Sequence, residues 1–369
     1  MDVVIYTNAV AGGWSPLDKM LGGGEECVVE LAGALARAGA SVTVFGSVPN
    51  DMEHVGVSYR PREGFDDGAV PDSLITWKDP GPWILGARAR TANVHWSSDV
   101  ESRWAVSPWL TAIVCLSRYH RRRLIEKWKW KVLGDEFKFD EGASNDRPPE
   151  LSGKPLLVSP PGVPKEWLHL TPEKEWSERP PVAIYCSSLD RGLMTLLQDW
   201  PDIRRYWPEA ELRVAYGWRH FDAAAQGNAR AQAFKSDVTR YLLQKGITYL
   251  GELSSTELKR ELLAARWWVH PLNRPDSELF CLSAVKARAC GALPVVLHAL
   301  DSGFADTVDV HVPYQTWLRG KEQLSGEPGP SGSARSWDNL VNAFWLPLLR
   351  GSPQIVIPPV VEVMAKERI

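Results

Sequence analysis

The sequence is poor in cysteine, with five in 369 residues. Cys27, Cys115, Cys186, Cys281 and Cys290 are scattered and odd in number, and no pair has CxxC spacing. That pattern argues against a disulfide framework or a zinc motif and for reduced thiols in a reducing compartment. Net charge is also small, −3 from 42 basic and 45 acidic residues, so nothing global draws the chain to nucleic acid or anionic membrane. No apolar run approaches the ~20 residues of a membrane helix. The opening Met1-Asp2-Val3-Val4-Ile5-Tyr6 lacks a basic n-region, so no signal peptide is expected. A cytoplasmic location is expected, with peripheral membrane attachment as the alternative. No tandem repeat is present. Tryptophan, by contrast, is abundant at 18. Its N–H needs a partner when buried, which favours amphipathic surfaces and stacking sites.

The length suggests two domains at ~150 residues each, and the chain divides into two α/β halves. In the first, strand Val3–Tyr6 leads through Gly22-Gly23-Gly24 into a helix from Glu25 to Ala38, with Val28, Leu31, Ala32 and Leu35 in helical spacing. Gly39 ends it and Ser41–Phe45 is the next strand. Such strand–loop–helix–strand units build parallel sheets. Ser73–Trp77 and Ala112–Leu116 are further strands, and residues 139–155 read as a polar loop. Pro160-Pro161-Gly162-Val163-Pro164 reads as an interdomain hinge. The second half repeats the pattern. Its strands are Val182–Cys186, Glu211–Tyr216, Ile247–Leu250, Trp267–His270 and Pro294–Leu297, with helices near 191–200 and 229–245. Residues 321–336 read as a loose loop, and a helix from about Ser336 to Leu349 follows.

Several residues stand where chemistry is expected. Arg191-Gly192 opens a helix after a strand, where a guanidinium and free N–H groups converge on an anion. The structural alternative is an ion pair of Arg191 with Asp190 or Glu278. Gly22-Gly23-Gly24 lets backbone approach a ligand, or is a plain tight turn. Glu278 precedes a helix start, where a carboxylate is favoured in any case. Residues 118–131 interleave cations with aromatics from Arg118 through Arg121-Arg122-Arg123 to Lys127-Trp128-Lys129-Trp130-Lys131. This is either a polyanion-binding surface for DNA or membrane or a solvated helix with its aromatics turned inward.

Six blocks occur in one order: Trp14-Ser15-Pro16, Gly22-Gly23-Gly24-Glu25, Ser187-Ser188-Leu189-Asp190-Arg191-Gly192-Leu193, Tyr216-Gly217-Trp218, Gly251-Glu252-Leu253-Ser254 and the segment from Glu278 to Gly291. Together they resemble the retaining glycosyltransferases of family four, in the subgroup whose second-domain loop reads Ser-Ser-x-Asp-Arg-Gly-Leu. The resemblance implies an α/β GT-B fold, two Rossmann-like domains facing a cleft, with a C-terminal helix crossing back to the first. The implied boundaries are 1–159, 160–335 and 336–369. It also implies transfer of a sugar from a nucleotide diphosphate sugar to a hydroxyl of a glycan, lipid or modified nucleic acid. The anomeric configuration is kept, by a front-face mechanism without metal or cofactor.

By the same resemblance, Glu278 is the first residue of a Glu-x7-Glu signature and contacts the donor sugar. The amides of Phe280, Cys281 and Leu282 contact sugar and phosphate. Gly22, Gly23, Gly24, Ser187, Ser188, Arg191, Tyr216, Gly251 and Leu253 complete the donor side, and Arg191, Glu278 and Asp99 are the catalytic candidates. Two departures stand out. Lys286 holds the place of the second Glu, which accepts from both ribose hydroxyls. An ammonium has only donors, so Lys286 contacts a phosphate or one ribose oxygen, or points to solvent. Val94-His95-Trp96-Ser97-Ser98-Asp99 resembles Trp-x-His-Asp with Ser98 at the His position, and His95, which could substitute only by a slip of register on a strand, reads as a core histidine. Ser98, Arg118 and His120 are assigned to the acceptor side, the last two from a Leu-Ser-x-x-His match. The altered positions motivate a second reading, a weakened GT-B protein that binds nucleotide sugar or a polyanion without turnover. A sugar-nucleotide epimerase is disfavoured by the Ser-Ser-x-Asp-Arg-Gly-Leu block.

Overall fold

The computed structural model describes residues 1–98, 109–128, 130–133, 136–139, 154–168, 170–272, 278–297, 302–308, 310–323 and 335–351. The first half contains β1 (Asp2–Thr7), α1 (Gly23–Arg37), β2 (Ser41–Gly46), β3 (Met52–His54), β4 (Val57–Pro61), β5 (Ser73–Trp77), α2 (Gly81–Ile84), β6 (Ala92–Trp96), β7 (Ala112–Cys115) and α3 (Arg118–Trp128). A hairpin of β8 (Trp130–Leu133) and β9 (Glu136–Phe139) follows, then β10 (Leu156–Val158). Eight of these strands form one sheet, ordered β10-β7-β6-β5-β1-β2-β4-β3. Neighbours are parallel except β3 and β4.

The second half contains β11 (Val182–Tyr185), α4 (Leu193–Tyr206), β12 (Glu211–Val214), α5 (Arg219–Ala224), α6 (Ala229–Tyr241), β13 (Ile247–Tyr249), α7 (Ser255–Ala264), β14 (Trp267–His270), α8 (Leu282–Ala289), β15 (Leu293–Val296), β16 (Val312–Pro313) and α9 (Tyr314–Trp317). Its strands are ordered β13-β12-β11-β14-β15-β16, all parallel. This is the doubly wound order, in which the chain starts mid-sheet, runs to one edge and returns to complete the other.

The local reasons are visible in the sequence. Central strands are apolar on both faces, as sheets covered by helices on both sides require, and β5, β6, β7, β11, β14 and β15 are buried throughout. α1 buries Val28, Leu31, Ala32 and Leu35 on one stripe and stops at Gly39, whose φ of +88° suits glycine. α7 opens with a capping box between Ser254 and Glu257. Strands β3 and β4 carry little apolar signal, and β10 and β16 have only three and two residues. Of these, β3, β10 and β16 lie at sheet edges.

The last helical stretch, α10 (Trp337–Leu340) and α11 (Leu346–Leu349) joined by a wide π-type turn at Val341–Trp345, packs on the first sheet. Ser73 Oγ donates to the Leu349 carbonyl at 2.9 Å, and Arg37 pairs with Asp338 at 2.8 Å. The Trp337 ring lies so close to Gly162 that a Cβ there would sit 2.9 Å from it. The crossing helix is therefore present, though interrupted, and the tryptophans correct the surface expectation. Trp96, Trp167, Trp200, Trp267, Trp268, Trp317, Trp337 and Trp345 are fully buried. Trp96 stacks edge-on with Trp77 and Trp345, gluing the crossing helix to the sheet. Among the described residues, the indole N–H groups of Trp14, Trp96, Trp317 and Trp345 are buried without a hydrogen-bond partner. Ring area outweighs the unmade bond at these positions.

Candidate functional site

In a doubly wound sheet, ligands bind beyond the carboxyl ends of the strands, where the strand order reverses. The second sheet reverses between β11 and β14, and the first between β1 and β5. Segments beyond the carboxyl ends of the two sheets approach one another. Arg219 pairs with Asp18 at 2.8 Å, Lys19 with Glu257 at 3.0 Å, and Lys286 with Glu26 at 2.5 Å. Ser117 Oγ donates to the Leu279 carbonyl, and the Tyr119 N–H to Asp306.

The loop after β11 is held from beneath. The buried Tyr185 hydroxyl lies 2.6 Å from the Ser188 carbonyl and 2.8 Å from that of Arg191. Gly192 then takes φ +88°, and a Cβ there would lie 2.5 Å from the Pro271 carbonyl oxygen. Only glycine fits such an approach. The left-handed cap starts α4 at Leu193 rather than at Arg191. Ser188 Oγ bonds Asp190, and Ser187 Oγ lies 3.4 Å from His270 Nδ1 and 3.1 Å from Ser283 Oγ.

The turn after β14 carries Glu278, only 5% exposed. Gly303 backs it: its N–H donates to the Glu278 carbonyl at 2.6 Å, and a Cβ would collide with Leu279. Arg191 Nη1 reaches Glu278 Oε2 at 3.4 Å, so the ion-pair alternative occurs. It is a long contact, and the Arg191 side chain stays 41% exposed. Burial pushes the Glu278 carboxyl up to about 6, against the opposing pull of Arg191, Cys281 and the Phe280 N–H. Burial, then the Arg191 charge, holds His270 down to about 3, so its ring is neutral. Burial and Glu278 raise the Cys281 thiol. A buried carboxyl balanced near neutrality beside a half-exposed guanidinium is an arrangement typical of functional sites.

Lys286 does not point to solvent. It is 6% exposed, its Nζ lies 2.5 and 2.7 Å from the two Glu26 oxygens, and it stands 5.0 Å over the Trp167 ring. Glu26 belongs to the first turn of α1, so the pair joins the two halves. Gly22 is the N-cap of α1, and Glu25 and Glu26 in that turn offset the helix pole that would draw a phosphate. A Cβ on Gly23 would meet nothing, whereas one on Gly24 would press on Trp77 at 3.3 Å.

No protein-family profile matches the sequence, and no curated protein matches it either. Solved structures do. Sucrose-phosphate synthase from Thermosynechococcus elongatus superposes with a TM-score of 0.56 at 16% identity, over 81% of this chain and 82% of that one. The fold is GT-B. An α,α-trehalose 6-phosphate synthase from Burkholderia multivorans gives 0.52 at 12% identity, over 82% and 85% of the two chains. HepE of Anabaena, solved in complex with UDP and glucose, gives 0.51 at 15% identity over 82% of each.

Within this GT-B frame, Ser187, Arg191, Glu278, Phe280 and Cys281 converge at the second sheet's reversal point. Leu282 opens α8 just beyond them. Ser188 and Tyr216 are hydrogen-bonded neighbours. Gly251, with φ +66°, opens the loop of Leu253, and Glu252 of that loop packs so tightly on Gly217 that a Cβ there would clash. On the other side, Arg118 lies beside Asp306. His120 is fully buried, and its Nδ1 accepts the Leu116 N–H at 3.2 Å, which shapes the turn into α3. His95 is buried with Nδ1 2.8 Å from Thr76 Oγ1, as a core histidine would be. Ser98 Oγ is buried without a hydrogen-bond partner among the described residues. Asp99 lies outside the described residues.

The basic stretch is not one helix. α3 ends at Trp128 and the hairpin begins at Trp130. Tyr119, His120 and Leu124 face the core, while Glu126 pairs with Arg123 and, at 3.8 Å, Arg122. Among the described residues no helix is long and apolar enough to cross a membrane. Sequence reasoning missed Glu26, Tyr185, His270, Gly303 and Lys78, an exposed residue in the left-handed region (φ +64°) directly after β5. Position at strand ends flanking an order reversal was the signal available for Tyr185, His270 and Lys78.

Proposed function

We propose that the chain is a retaining glycosyltransferase that moves a sugar from a nucleotide diphosphate sugar to an acceptor hydroxyl. The observation that carries this reading is the Arg191–Glu278 pair at the second sheet's reversal point, in a GT-B fold. Arg191 is half-exposed, and its 3.4 Å contact with Glu278 is long enough for a diphosphate to compete with it. Its fixed fork and charge suit phosphate oxygens. Glu278 then accepts from sugar hydroxyls, and the amides at the start of α8 supply donors to the leaving group. The departing diphosphate helps take the acceptor proton on the same face, with Arg191 stabilising the developing charge. Gly22, Gly23 and Gly24 serve by allowing close approach of backbone rather than by an anion pole. In this reading the domains are 1–159 and 160–335, followed by a final segment from 336 whose described part, to residue 351, packs on the first sheet.

The GT-B neighbours support a nucleotide-sugar donor, one of them being a complex with UDP and glucose. A panel of nucleotide sugars incubated with and without candidate glycan, lipid and modified-DNA acceptors, read by mass spectrometry, tests the reading. NMR of the product anomer tests retention. A second reading, donor binding without turnover, is favoured by the sequestration of Lys286 on Glu26. Binding of a nucleoside diphosphate with neither transfer nor donor hydrolysis would select it.

A further inference from the structure

We propose that His270, Glu278 and Cys281 form a binding site for a borderline-soft divalent cation of the Zn2+ class, positioned to block the donor cleft. His270 ends β14, Glu278 stands in the following turn and Cys281 caps α8, so three donor types converge within one connection. Their ligand atoms, one nitrogen, one oxygen and one sulfur, all lie within 4.8 Å of one another, and all three residues are buried. His270 Nδ1 and Cys281 Sγ are 3.9 Å apart. Two ligands of one tetrahedral zinc, at about 2.0 Å for nitrogen and 2.3 Å for sulfur, stand about 3.5 Å apart. Shifts of about an ångström therefore close the set.

The chemistry of the donors selects the ion. Magnesium and calcium take oxygen ligands, whereas a mixed imidazole, thiolate and carboxylate set suits zinc. Two anionic ligands balance a dication in a desolvated place. Binding converts the Cys281 thiol to a thiolate and releases its proton to solvent. Glu278 turns an oxygen from Arg191 to the metal, and the fourth position is left to water, as three protein ligands allow. The hydroxyls of Ser187 and Ser283 border the site, 3.4 Å from Nδ1 and 3.3 Å from Sγ.

The consequence for activity rests on the function proposed above. A cation held on Glu278 removes the carboxylate from the donor sugar, so zinc inhibits reversibly. The metal site itself stands or falls separately. The test uses the full chain, freed of metal by chelator, titrated with Co2+ alone. The wild type should show a thiolate-to-cobalt charge-transfer band and tetrahedral ligand-field absorption. Cys281→Ser should lose the charge-transfer band and weaken Zn2+, measured by competition with a chromogenic chelator, by roughly tenfold or more. Cys290→Ser should keep both. Thermal unfolding of each variant checks that it is folded, and His270→Gln provides the second ligand deletion. Absence of the band in the wild type, or its persistence in Cys281→Ser, overturns the site. A cobalt-loaded wild type that hydrolyses or transfers donor as fast as the metal-free protein overturns the inhibition. Metal binding in a protein that acts on no nucleotide sugar would count against the proposed function and for the site.

Discussion

Two ion pairs stand at the cleft, and they behave oppositely. Arg191–Glu278 lies within the second half, at 3.4 Å, with the arginine 41% exposed. Lys286–Glu26 bridges the two halves at 2.5 Å, with side chains 8% and 18% exposed. The first is a long contact with one partner open to solvent. The second is short, two-pronged and desolvated, and it has already used the charge of both partners. A buried pair of this kind is weak evidence of net stability, but removing one partner strands the other. The lysine at the altered signature position is thus a fastener between the two halves, whereas the arginine keeps a long contact and a half-exposed side chain.

Breaking the fastener should give the largest effect on stability. Lys286→Met leaves the Glu26 carboxylate inside the interface without its countercharge and should cost about 3 kcal/mol, the low end for a half-broken buried pair because Glu26 retains some solvent. Adding Glu26→Gln should recover most of that loss. Denaturant melts of the two singles and the double measure the coupling; equal midpoints for wild type and Lys286→Met would show that the pair holds nothing. Lys286→Glu sets two carboxylates against each other and should be worse than Met.

Breaking the longer pair should cost less stability than breaking the fastener, and should remove function. Arg191→Ala loses a charge-assisted contact to the leaving group, worth about 2–4 kcal/mol of transition-state stabilisation, or a hundredfold and more in turnover. Without the guanidinium, the Glu278 carboxyl rises further above about 6, so the acid limb of the pH profile should move to higher pH. Near-normal turnover in this variant would remove Arg191 from the reaction.

The contrast also separates what the sequence exposed from what it concealed. Strand–loop–helix units are local, so both α/β halves, the loop of Arg191 and the turn of Glu278 could be read from periodicity, glycines and motif order. Their ion pair could be named as an alternative because both sit at one sheet's strand ends. The Lys286–Glu26 contact joins residues 260 apart and depends on how two sheets meet. No spacing carries that. Tryptophan misled for a related reason. Its polar N–H suggests a surface, but eight rings are fully buried, several without a partner for that N–H. The crossing helix needed that area to grip the first sheet.

Glu278 sharpens the comparison from the stability side. Its folded carboxyl is raised from 4.5 to about 6, so the folded protein holds that proton more tightly than the unfolded chain. Stability from this group is full below the unfolded value and is lost as pH rises to about 6, leaving a penalty of about 2 kcal/mol above it. Glu278→Gln should therefore be more stable than wild type at pH 8 by up to that amount and equal at pH 4, while sugar transfer falls strongly. Urea melts at the two pH values, beside a transfer assay, check both halves. A variant less stable at pH 8 would mean that the ionised carboxylate is a structural asset rather than a strained functional group.

The smallest effect concerns the neighbour of the fastener. Glu30 stands one turn beyond Glu26 on α1, and Lys286 serves both carboxylates. Burial first, then the charges of Glu26 and Glu166, push the Glu30 carboxyl up to about 7, against weaker opposition from Arg37 and Lys286. The sign is that of Glu278: stability present in acid drains away as pH climbs from about 4.5 toward 7. The full shift corresponds to about 3 kcal/mol, but solvent reaches this side chain, so about 1 kcal/mol is expected. Glu30→Gln should raise the unfolding midpoint at pH 8 and leave it unchanged at pH 4. In a Lys286→Met background the gain at pH 8 should grow, because the cation shared with Glu26 is gone. An unchanged gain in that background would show that Lys286 answers to Glu26 alone.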